Sequence, residues 1–285
     1  MILQGAIGKA AVLGRRVMHP LSTLVFVRAL TLVVLVKVLL TWRIQAAIMQ
    51  VHHLSIPHGR ISGPLLFAAR FAAAHYHIFA TVVVGFLILH LCIRRNYWTA
   101  IIFCLLTFNL LIITIPGGNG GDVLAFFCSL WAIFLVPPDA GSRLATLRII
   151  LYNTARIMCM LQFIFMYVAS GTDKLKSYVW SAGRAFDYMR DVEGIINPDF
   201  PSWLSTRFWD LTLSWFAIAL EILFGVLIWT RAFQPALIMM AIVFHLAIWW
   251  MMDLAGFSLI MIAAVLIFVR DDQYLQMFKP QLLSK

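Results

Sequence analysis

Eight runs of apolar residues follow one another along the chain, separated by polar or charged stretches of different lengths. A helix of about 20 apolar residues crosses the hydrocarbon core of a bilayer, which is about 30 Å thick. Strands that span membranes alternate apolar and polar residues, and these runs do not alternate. We therefore predict an all-α, polytopic membrane bundle of about eight spans: Leu21–Trp42, Ala73–Ile93, Trp98–Ile115, Val123–Val136, Ile149–Ala169, Leu211–Thr230, Ala236–Met252 and Leu254–Val269.

The composition supports membrane insertion. Hydrophobic residues make up 62% of the 285 residues, and the mean hydropathy is +0.92. Soluble domains contain about 45–50% apolar residues, so the excess indicates surface that faces lipid. The fourth run would form a helix only about 21 Å long. Such a helix requires tilt, an extension at one end, or a role as a half-helix.

The positive charges indicate an orientation. The formal net charge is +10, but Lys and Arg stand at the ends of apolar runs and form no basic stripe interleaved with aromatic residues. This distribution argues against a nucleic-acid partner. The positive-inside rule is best met when both termini lie in the cytoplasm, because two of the outer loops then carry no Lys or Arg. We predict a multi-pass protein of the plasma (inner) membrane.

We divide the sequence into three segments. Residues 1–20 form a basic amphipathic segment suited to the membrane interface, residues 21–270 form the transmembrane domain, and residues 271–285 form a cytoplasmic tail. Residues 171–210 are a long outer loop in which the stretch "AGRAFDYMRDV" predicts a short amphipathic helix. The sequence shows no internal repeat, which argues against a transporter built from inverted repeats.

Several polar side chains are expected at the same depth. An ionisable group inside a span costs at least about 2.5–3.5 kcal/mol and is a functional candidate by default. In the predicted topology Lys37, Asn119, Asp122, Lys174 and His245 all lie on the outer side of the membrane. The sequence therefore predicts a site in the outer half of the bundle.

A structural role remains open for each of these groups. Lys174 at a helix C-terminus would suit the helix dipole and extend its ammonium to the interface. Asp122 would serve as an N-cap after a glycine turn, and His245 as a hydrogen-bonded core residue. Asp253 is interpreted as a loop or cap residue.

Histidines surround the first outer loop. Imidazole suits transition metals, but no carboxylate accompanies these residues and their spacing matches no metal motif. We predict no metal site, and interpret them as a histidine-rich loop: His52, His53, His58, His75 and His77.

The four cysteines contain no CxxC pair, so neither a redox motif nor a zinc knuckle is supported. Each lies in or beside an apolar run. Free cysteines are commonly buried, and we predict that all four pack in the core: Cys92, Cys104, Cys128 and Cys159.

Two stretches, "FMYVASGTDKLKSYVWSAGRAF" and "AIVFHLAIWWMMDLAGFSLIMIA", resemble signatures of the horizontally transferred transmembrane (HTTM) family. The best-known members of this family are the vitamin K-dependent γ-glutamyl carboxylases. Between the two stretches, "LEILFGVLIWTR" resembles the family's acidic residue followed by an apolar run and an arginine. The matching positions are Tyr167, Gly171, Lys174, Leu175, Trp180, Gly183, Glu221, Arg231, Phe244, His245, Phe257, Ser258 and Met261.

The resemblance implies a chemistry. In the carboxylases the lysine that corresponds to Lys174 deprotonates vitamin K hydroquinone. Reaction with oxygen then gives a strong base that removes a glutamyl γ-proton, and carbon dioxide adds. A low-dielectric site favours the neutral amine that such a base requires. His245 would hydrogen-bond the quinol or orient the intermediate. The expected substrate-binding residues are Asn119, Asp122, Trp180, Glu221 and Lys37.

In length the chain is closer to short bacterial members of the family, including the membrane protein that matures the sporulation-delaying peptide toxin. The expected function is that of a membrane enzyme acting on a quinol, menaquinone or vitamin K hydroquinone, or on a secreted peptide. The alternative is a non-catalytic component for maturation, export or immunity of a secreted peptide toxin. The expected partners are membrane lipids and a peptide substrate or partner proteins, without nucleic acid.

Overall fold

A computed structural model describes residues 16–52, 64–114, 119–138, 144–192, 195–197, 199 and 201–278. All regular elements within these ranges are helical, which confirms the predicted all-α class. Short 3₁₀ turns occur at Ser202–Leu204 and Leu266–Phe268. The α-helices are α1 (Pro20–His52), α2 (Pro64–Ala74), α3 (Tyr76–Cys92), α4 (Tyr97–Thr114), α5 (Gly120–Ala132), α6 (Ala145–Lys176), α7 (Tyr178–Ser181), α8 (Ala185–Asp191), α9 (Arg207–Leu227), α10 (Gln234–Met252), α11 (Ala255–Val265) and α12 (Asp271–Phe278).

Four described helices, namely α1, α6, α9 and α10, are long and apolar enough to cross a membrane. Helices α2 and α3 form a further candidate span, bent by 105° between Ala74 and Tyr76. Three apolar helices are shorter: Tyr97–Ile113, Gly120–Ala132 and Ala255–Phe268. By length and composition, these helices are compatible with an integral membrane protein.

The bundle is apolar inside and outside. Helix α1 packs against α3 and α11, and α6 packs against α5 and α9. Large side chains such as Phe26, Leu30 and Leu87 are completely buried between these helices. The outer surfaces also carry large apolar residues, which suits helices surrounded by lipid. Exposed examples are Leu39, Leu40, Ile78, Val82, Val226 and Val243.

Aromatic rings fill the middle of the bundle between α6, α9 and the 3₁₀ turn after α11. Phe163 stacks on Tyr167 with ring centroids 4.6 Å apart, and Tyr167 lies 4.8 Å from Phe224. Phe268 closes the cluster at 5.4 Å from Phe224. This packing fixes the ring of Tyr167.

Helices α6 and α9 approach closely because small residues lie between them. A Cβ atom on Gly171 would lie 2.9 Å from Cγ1 of Ile222 and 3.1 Å from Cβ of Glu221. A Cβ atom on Gly225 would lie 2.4 Å from Cγ2 of Val168. The glycines therefore let the last turns of α6 lie directly beside the C-terminal turns of α9.

Helix α6 is longer than the apolar run that predicts it. The run ends at Ala169, whereas the helix continues to Lys176. The polar residues of the added turns keep the helical path, and the Thr172 hydroxyl donates to the Val168 carbonyl at 2.8 Å. Lys174 thus lies within the last helical turn and not beyond it. The short helix predicted within residues 182–192 is confirmed as α8.

The two ends of the bundle carry different groups. We call the end at which α1, α4 and α6 begin the N-terminal end, and the end at which α6 finishes and α5 begins the opposite end. Arg28 donates to carbonyls at the C-terminus of α3 at the first end. Lys37 pairs with Asp122 at the second.

Candidate functional site

A cavity of about 400 Å³ lies among α6, α9, α10 and α11 at the opposite end of the bundle. Its walls are mainly apolar and include Met166, Leu213, Phe216 and Phe257. Volumes of about 300–1,000 Å³ with apolar walls and a few polar groups are typical of small-molecule sites. The polar or titratable side chains on the wall are Tyr167, Ser170, Lys174, Trp180, Glu221 and His245.

Lys174 and Glu221 form a direct-contact ion pair at the cavity wall. The Lys174 Nζ atom lies 2.7 Å from each carboxylate oxygen of Glu221 and 2.5 Å from the Ser170 hydroxyl. It also lies 5.2 Å from the centroid of the Trp180 ring, within range of a cation–π contact. Only 18% of the Lys174 side chain and 8% of the Glu221 side chain are exposed. The pair is therefore largely removed from solvent.

Local helix geometry explains part of this arrangement. Ser170 and Lys174 are four residues apart on α6 and so share a face of the helix. Glu221 comes from α9, at the glycine contact with Gly171. The sequence of α6 supplies two members of the cluster, and the close approach of α9 supplies the third.

Tyr167 and His245 form a second pair deeper in the same cavity. The Tyr167 hydroxyl oxygen lies 2.7 Å from His245 Nε2, and both residues are 2% exposed. Among the described residues no group hydrogen-bonds to His245 Nδ1, although this atom is buried. Buried polar atoms normally have a partner, so an orphaned ring nitrogen on a cavity wall suits a ligand with a hydroxyl group.

Four of the predicted site residues line this cavity: Lys174, His245, Trp180 and Glu221. The other three, Lys37, Asn119 and Asp122, lie in a neighbouring cluster. Sequence reasoning did not select Tyr167 or Ser170 as site residues. Their spacing from Lys174, seven and four residues along one helix, places them on the same face and was the available signal.

The neighbouring cluster is built around the start of α5. Lys37 of α1 forms an ion pair with Asp122, whose carboxylate also accepts from the backbone N–H of Asn119 at 3.3 Å. The Asn119 side chain accepts from the backbone N–H of Gly121 at 2.9 Å. These two bonds form a capping box. The N-cap is therefore Asn119, and Asp122 is its reciprocal partner.

A second cavity of about 450 Å³ adjoins Lys37. Gln45, Asn119 and Asp253 also line it, so its wall is more polar than that of the first cavity. Leu254 and Phe257 border both cavities. The two clusters are thus neighbours on either side of the same apolar side chains. Asp253 itself ends α10 in a left-handed conformation with φ of 51°, which confirms its interpretation as a cap.

The described histidines near the first outer loop, His75 and His77, line neither of these two cavities. His53, His58 and the side chain of His52 are outside the described residues. His75 stands between α2 and α3, and the Nδ1 atom of His77 accepts from the Trp42 indole N–H at 2.9 Å. Within the described ranges no three His, Cys, Asp or Glu side chains group in a way suited to a metal ion.

All four cysteines are free. Cys104, Cys128 and Cys159 are buried, as predicted for core residues. The prediction is wrong for Cys92, which is exposed. Cys92 is the last residue of α3, where the helix reaches the surface of the bundle.

No protein-family model, curated protein or solved structure matches the chain. The class is therefore stated from the fold alone: a helical protein with several helices of membrane-spanning composition. Its cavity at the opposite end combines apolar walls with a lysine–glutamate pair and a tyrosine–histidine pair.

Proposed function

We propose that this integral membrane protein binds a lipid-soluble quinol, such as menaquinone or vitamin K hydroquinone, in the apolar cavity and uses Lys174 as a base. The observation that carries the proposal is the placement of the Lys174–Glu221 and Tyr167–His245 pairs on one apolar cavity of about 400 Å³. A secreted peptide at the outer face is the proposed acceptor of the chemistry.

The cavity suits the chemical form of a quinol. A quinol head is a flat apolar ring with hydroxyl groups at opposite edges, and the cavity offers apolar side chains with polar groups at separate points. His245 Nδ1 has no hydrogen-bond partner among the described residues, and a ligand hydroxyl would supply one. Tyr167 fixes the imidazole through its bond to Nε2.

The Lys174–Glu221 pair supports a role in proton transfer. A lysine acts as base only as the neutral amine. Transfer of one proton from Lys174 to Glu221 would give a neutral amine beside a neutral carboxylic acid, and the two groups are close enough for this transfer, since Nζ lies 2.7 Å from both carboxylate oxygens. The amine then takes the proton of a ligand hydroxyl, while Ser170 holds Nζ in position. A quinol bound here would supply the electrons for the reaction.

We also propose an eight-crossing topology with both termini in the cytoplasm of the plasma (inner) membrane. The bent pair α2–α3 and the three shorter apolar helices would supply the crossings beyond the four long helices. The cavity then opens in the outer half of the bundle. Membership of the HTTM family is part of the proposal, and it is supported by signature positions that share the cavity wall: Tyr167, Lys174, Trp180, Glu221, Phe244, His245, Phe257 and Met261.

The test uses purified protein in lipid with a reduced quinol and oxygen. Mass spectrometry measures the quinol epoxide, and equilibrium binding measures the quinol itself. Lys174→Arg keeps the charge but removes the base, because guanidinium does not deprotonate. The matched control is Lys176→Arg, an exposed lysine on the same helical turn. We expect epoxide from the wild type and from Lys176→Arg, and none from Lys174→Arg.

Two results would change the assignment. Absence of quinol binding to the wild-type protein would refute the quinol site. Normal epoxide formation by Lys174→Arg would show that Lys174 is an electrostatic anchor. If the wild type binds no quinol and forms no epoxide, the alternative of a non-catalytic component for maturation, export or immunity of a secreted peptide toxin becomes the better one.

A further inference from the structure

The exposed part of the wall of the apolar cavity is itself apolar. The three most exposed of the described wall residues are Phe216 at 41%, Val243 at 57% and Leu254 at 37%. The polar wall residues Tyr167 and His245, in contrast, are buried. Exposed apolar side chains that border a cavity are typical of contact with a ligand or with a membrane.

Two of these exposed residues lie where α9 and α10 meet. Phe216 of α9 packs its ring edge-on against the ring of Phe244 of α10, with the centroids 6.2 Å apart. Val243 precedes Phe244, and His245 follows it. We call the contact line between α9 and α10 at Phe216 and Val243 the seam. The cavity thus reaches from the buried imidazole of His245 to the outer surface of two neighbouring helices.

Exposed apolar side chains continue from the seam along both helices. Leu223 lies two helical turns beyond Phe216 on α9, and Met240 lies one turn before Val243 on α10. Each therefore shares a helix face with its partner at the seam. Both are exposed, at 47% and 39%. An apolar chain that leaves the cavity at the seam finds further apolar surface in the direction of the N-terminal end of the bundle.

The segment that contains α7 and α8 covers another side of the cavity. Two residues of α9 fasten this segment. Arg207 donates to the carbonyls of Ala182 and Gly183 at 2.6 Å each, and Asp210 accepts from Arg190 at 3.0 and 2.8 Å. Entry from this side would require the release of these contacts. The side chains of the segment that line the cavity are Trp180, Phe186 and Met189.

These features favour a ligand with a polar head and a long apolar tail. The head would supply the missing hydrogen-bond partner of His245 Nδ1 deep in the cavity. Apolar carbon is unfavourable in water, so the tail requires apolar side chains or lipid around it. The seam offers both, because its exposed residues are apolar on the cavity side and on the outer side.

We propose that the tail of the bound quinol leaves the cavity through the seam between Phe216 and Val243 and lies in the bilayer beside α9 and α10, while the ring stays in the cavity. Phe216 and Val243 then determine which tails are accepted, and the ligand class narrows to quinols with a long isoprenoid tail. This inference rests on the proposed quinol site and adds its route of access, which is lateral from the lipid.

The experiment measures equilibrium binding of naphthoquinols with one common head to the full-length protein in lipid nanodiscs, without oxygen. One quinol has no tail, one has a single isoprene unit and one has four units. The quantity compared is the ratio of the affinity for the four-unit quinol to that for the tailless quinol, because partition into lipid cancels between variants. Val243→Trp places a bulky ring in the seam. The matched control is Val226→Trp, at a residue of α9 that is 65% exposed and does not line the cavity.

Val243→Trp should lower this ratio at least about tenfold, since the insertion of a large side chain into packed apolar space has an effect of that order. Val226→Trp should keep the wild-type ratio. Phe216→Ala removes a ring from the seam, so the four-unit quinol should dissociate several times faster relative to the tailless one. This second variant decides the matter if Val243→Trp fails to fold, and an unchanged relative dissociation rate would contradict the route.

Three further outcomes would overturn the route through the seam. An unchanged ratio in Val243→Trp, with the tailless quinol still bound, would place the tail elsewhere and leave the quinol site standing. An equal fall of the ratio in Val226→Trp would indicate a general effect of tryptophan at the lipid surface. If the wild type binds none of the three quinols, the proposed quinol site fails, and the route fails with it.

Discussion

Two buried lysine–carboxylate pairs lie at the same end of the bundle, Lys174–Glu221 and Lys37–Asp122. Each joins two helices, and each carboxylate is almost completely buried. Their remaining contacts differ. Glu221 faces Lys174 on the wall of an apolar cavity, whereas Asp122 also bonds to the backbone that begins α5. The role of a buried pair is therefore set by what else its members contact.

The space around the pairs differs as well. A cavity of only about 30 Å³ inside the bundle has Lys37 and Asp122 among its lining residues, which is room for about one or two water molecules. A substrate would reach Lys37 from the adjoining polar cavity of about 450 Å³. We infer that the first pair serves proton transfer and that the second mainly holds α1 against α5.

The sharpest test of this difference is Glu221→Gln. The amide preserves the shape of the carboxylate but does not take a proton, so Lys174 loses the acceptor to which the proposed transfer passes its proton. We expect quinol-dependent turnover to fall by about 10²–10⁴-fold, the usual contribution of general acid–base catalysis. Initial rates at saturating quinol measure this. Asp122→Asn is the comparison, and an equal fall in the turnover of correctly folded Asp122→Asn would remove the distinction between the pairs.

Asp122→Asn should instead affect stability. The asparagine oxygen still accepts from the Asn119 N–H, so the cap persists, but the Lys37 ammonium loses its counter-charge. Removal of one partner from a buried ion pair costs about 3–5 kcal/mol. The free energy of unfolding in bicelles measures this loss. Asp253→Asn is the control, because Asp253 is exposed and asparagine tolerates its left-handed backbone.

Replacing the lysine as well should restore stability. In Lys37→Met/Asp122→Asn no charge remains to be desolvated, and most of the loss should be recovered. A double variant as unstable as the single one would show that Asp122 acts on the backbone alone and that its pairing with Lys37 contributes little.

Part of this comparison was predictable from the sequence. The apolar runs identify the helices, because length and hydropathy are properties of each segment by itself. The charge pattern also grouped Lys37, Asp122, Lys174 and His245 at one depth, and the structure places these residues near the opposite end of the bundle.

The pairing of each lysine was not predictable. Helices surrounded by lipid are apolar on all sides, so the sequence contains no polar stripe to show which face turns inward. Glu221 meets Lys174 only because Gly171 lets α9 approach α6. The end of α6 was missed because residues 170–176 are polar and resemble a loop. The bend before Tyr76 lies at the start of the predicted span Ala73–Ile93, so that prediction left out nearly all of α2.

The two pairs should also respond differently when a glycine beside each of them is replaced by alanine, which adds one methyl group. Gly171→Ala places Cβ 2.9 Å from Ile222 and 3.1 Å from the Glu221 Cβ atom. Such overpacking costs about 1–3 kcal/mol and should move Glu221 away from Lys174, so turnover falls as well. Gly256→Ala is the matched change at the other pair, because the three atoms nearest to its Cβ all belong to the Lys37 side chain, at an ordinary contact distance of 3.4 Å. Unfolding and turnover of both variants measure the contrast, and equal tolerance would mean that α6 and α9 can separate freely.

The smallest expected effect concerns Tyr167→Phe. The change removes the bond to His245 Nε2 but keeps the aromatic packing on Phe163 and Phe224. A single hydrogen bond contributes about 0.5–1.5 kcal/mol, so a modest loss of stability is expected. If the imidazole receives the ligand hydroxyl at Nδ1, its lost orientation should also weaken quinol binding about tenfold, since about 1.4 kcal/mol corresponds to that factor.

Quinol titration measures the affinity, with Tyr178→Phe as the control on an exposed tyrosine. Unchanged affinity at reduced stability would make Tyr167–His245 a structural pair like Lys37–Asp122, and would leave Lys174–Glu221 as the chemical centre of the cavity.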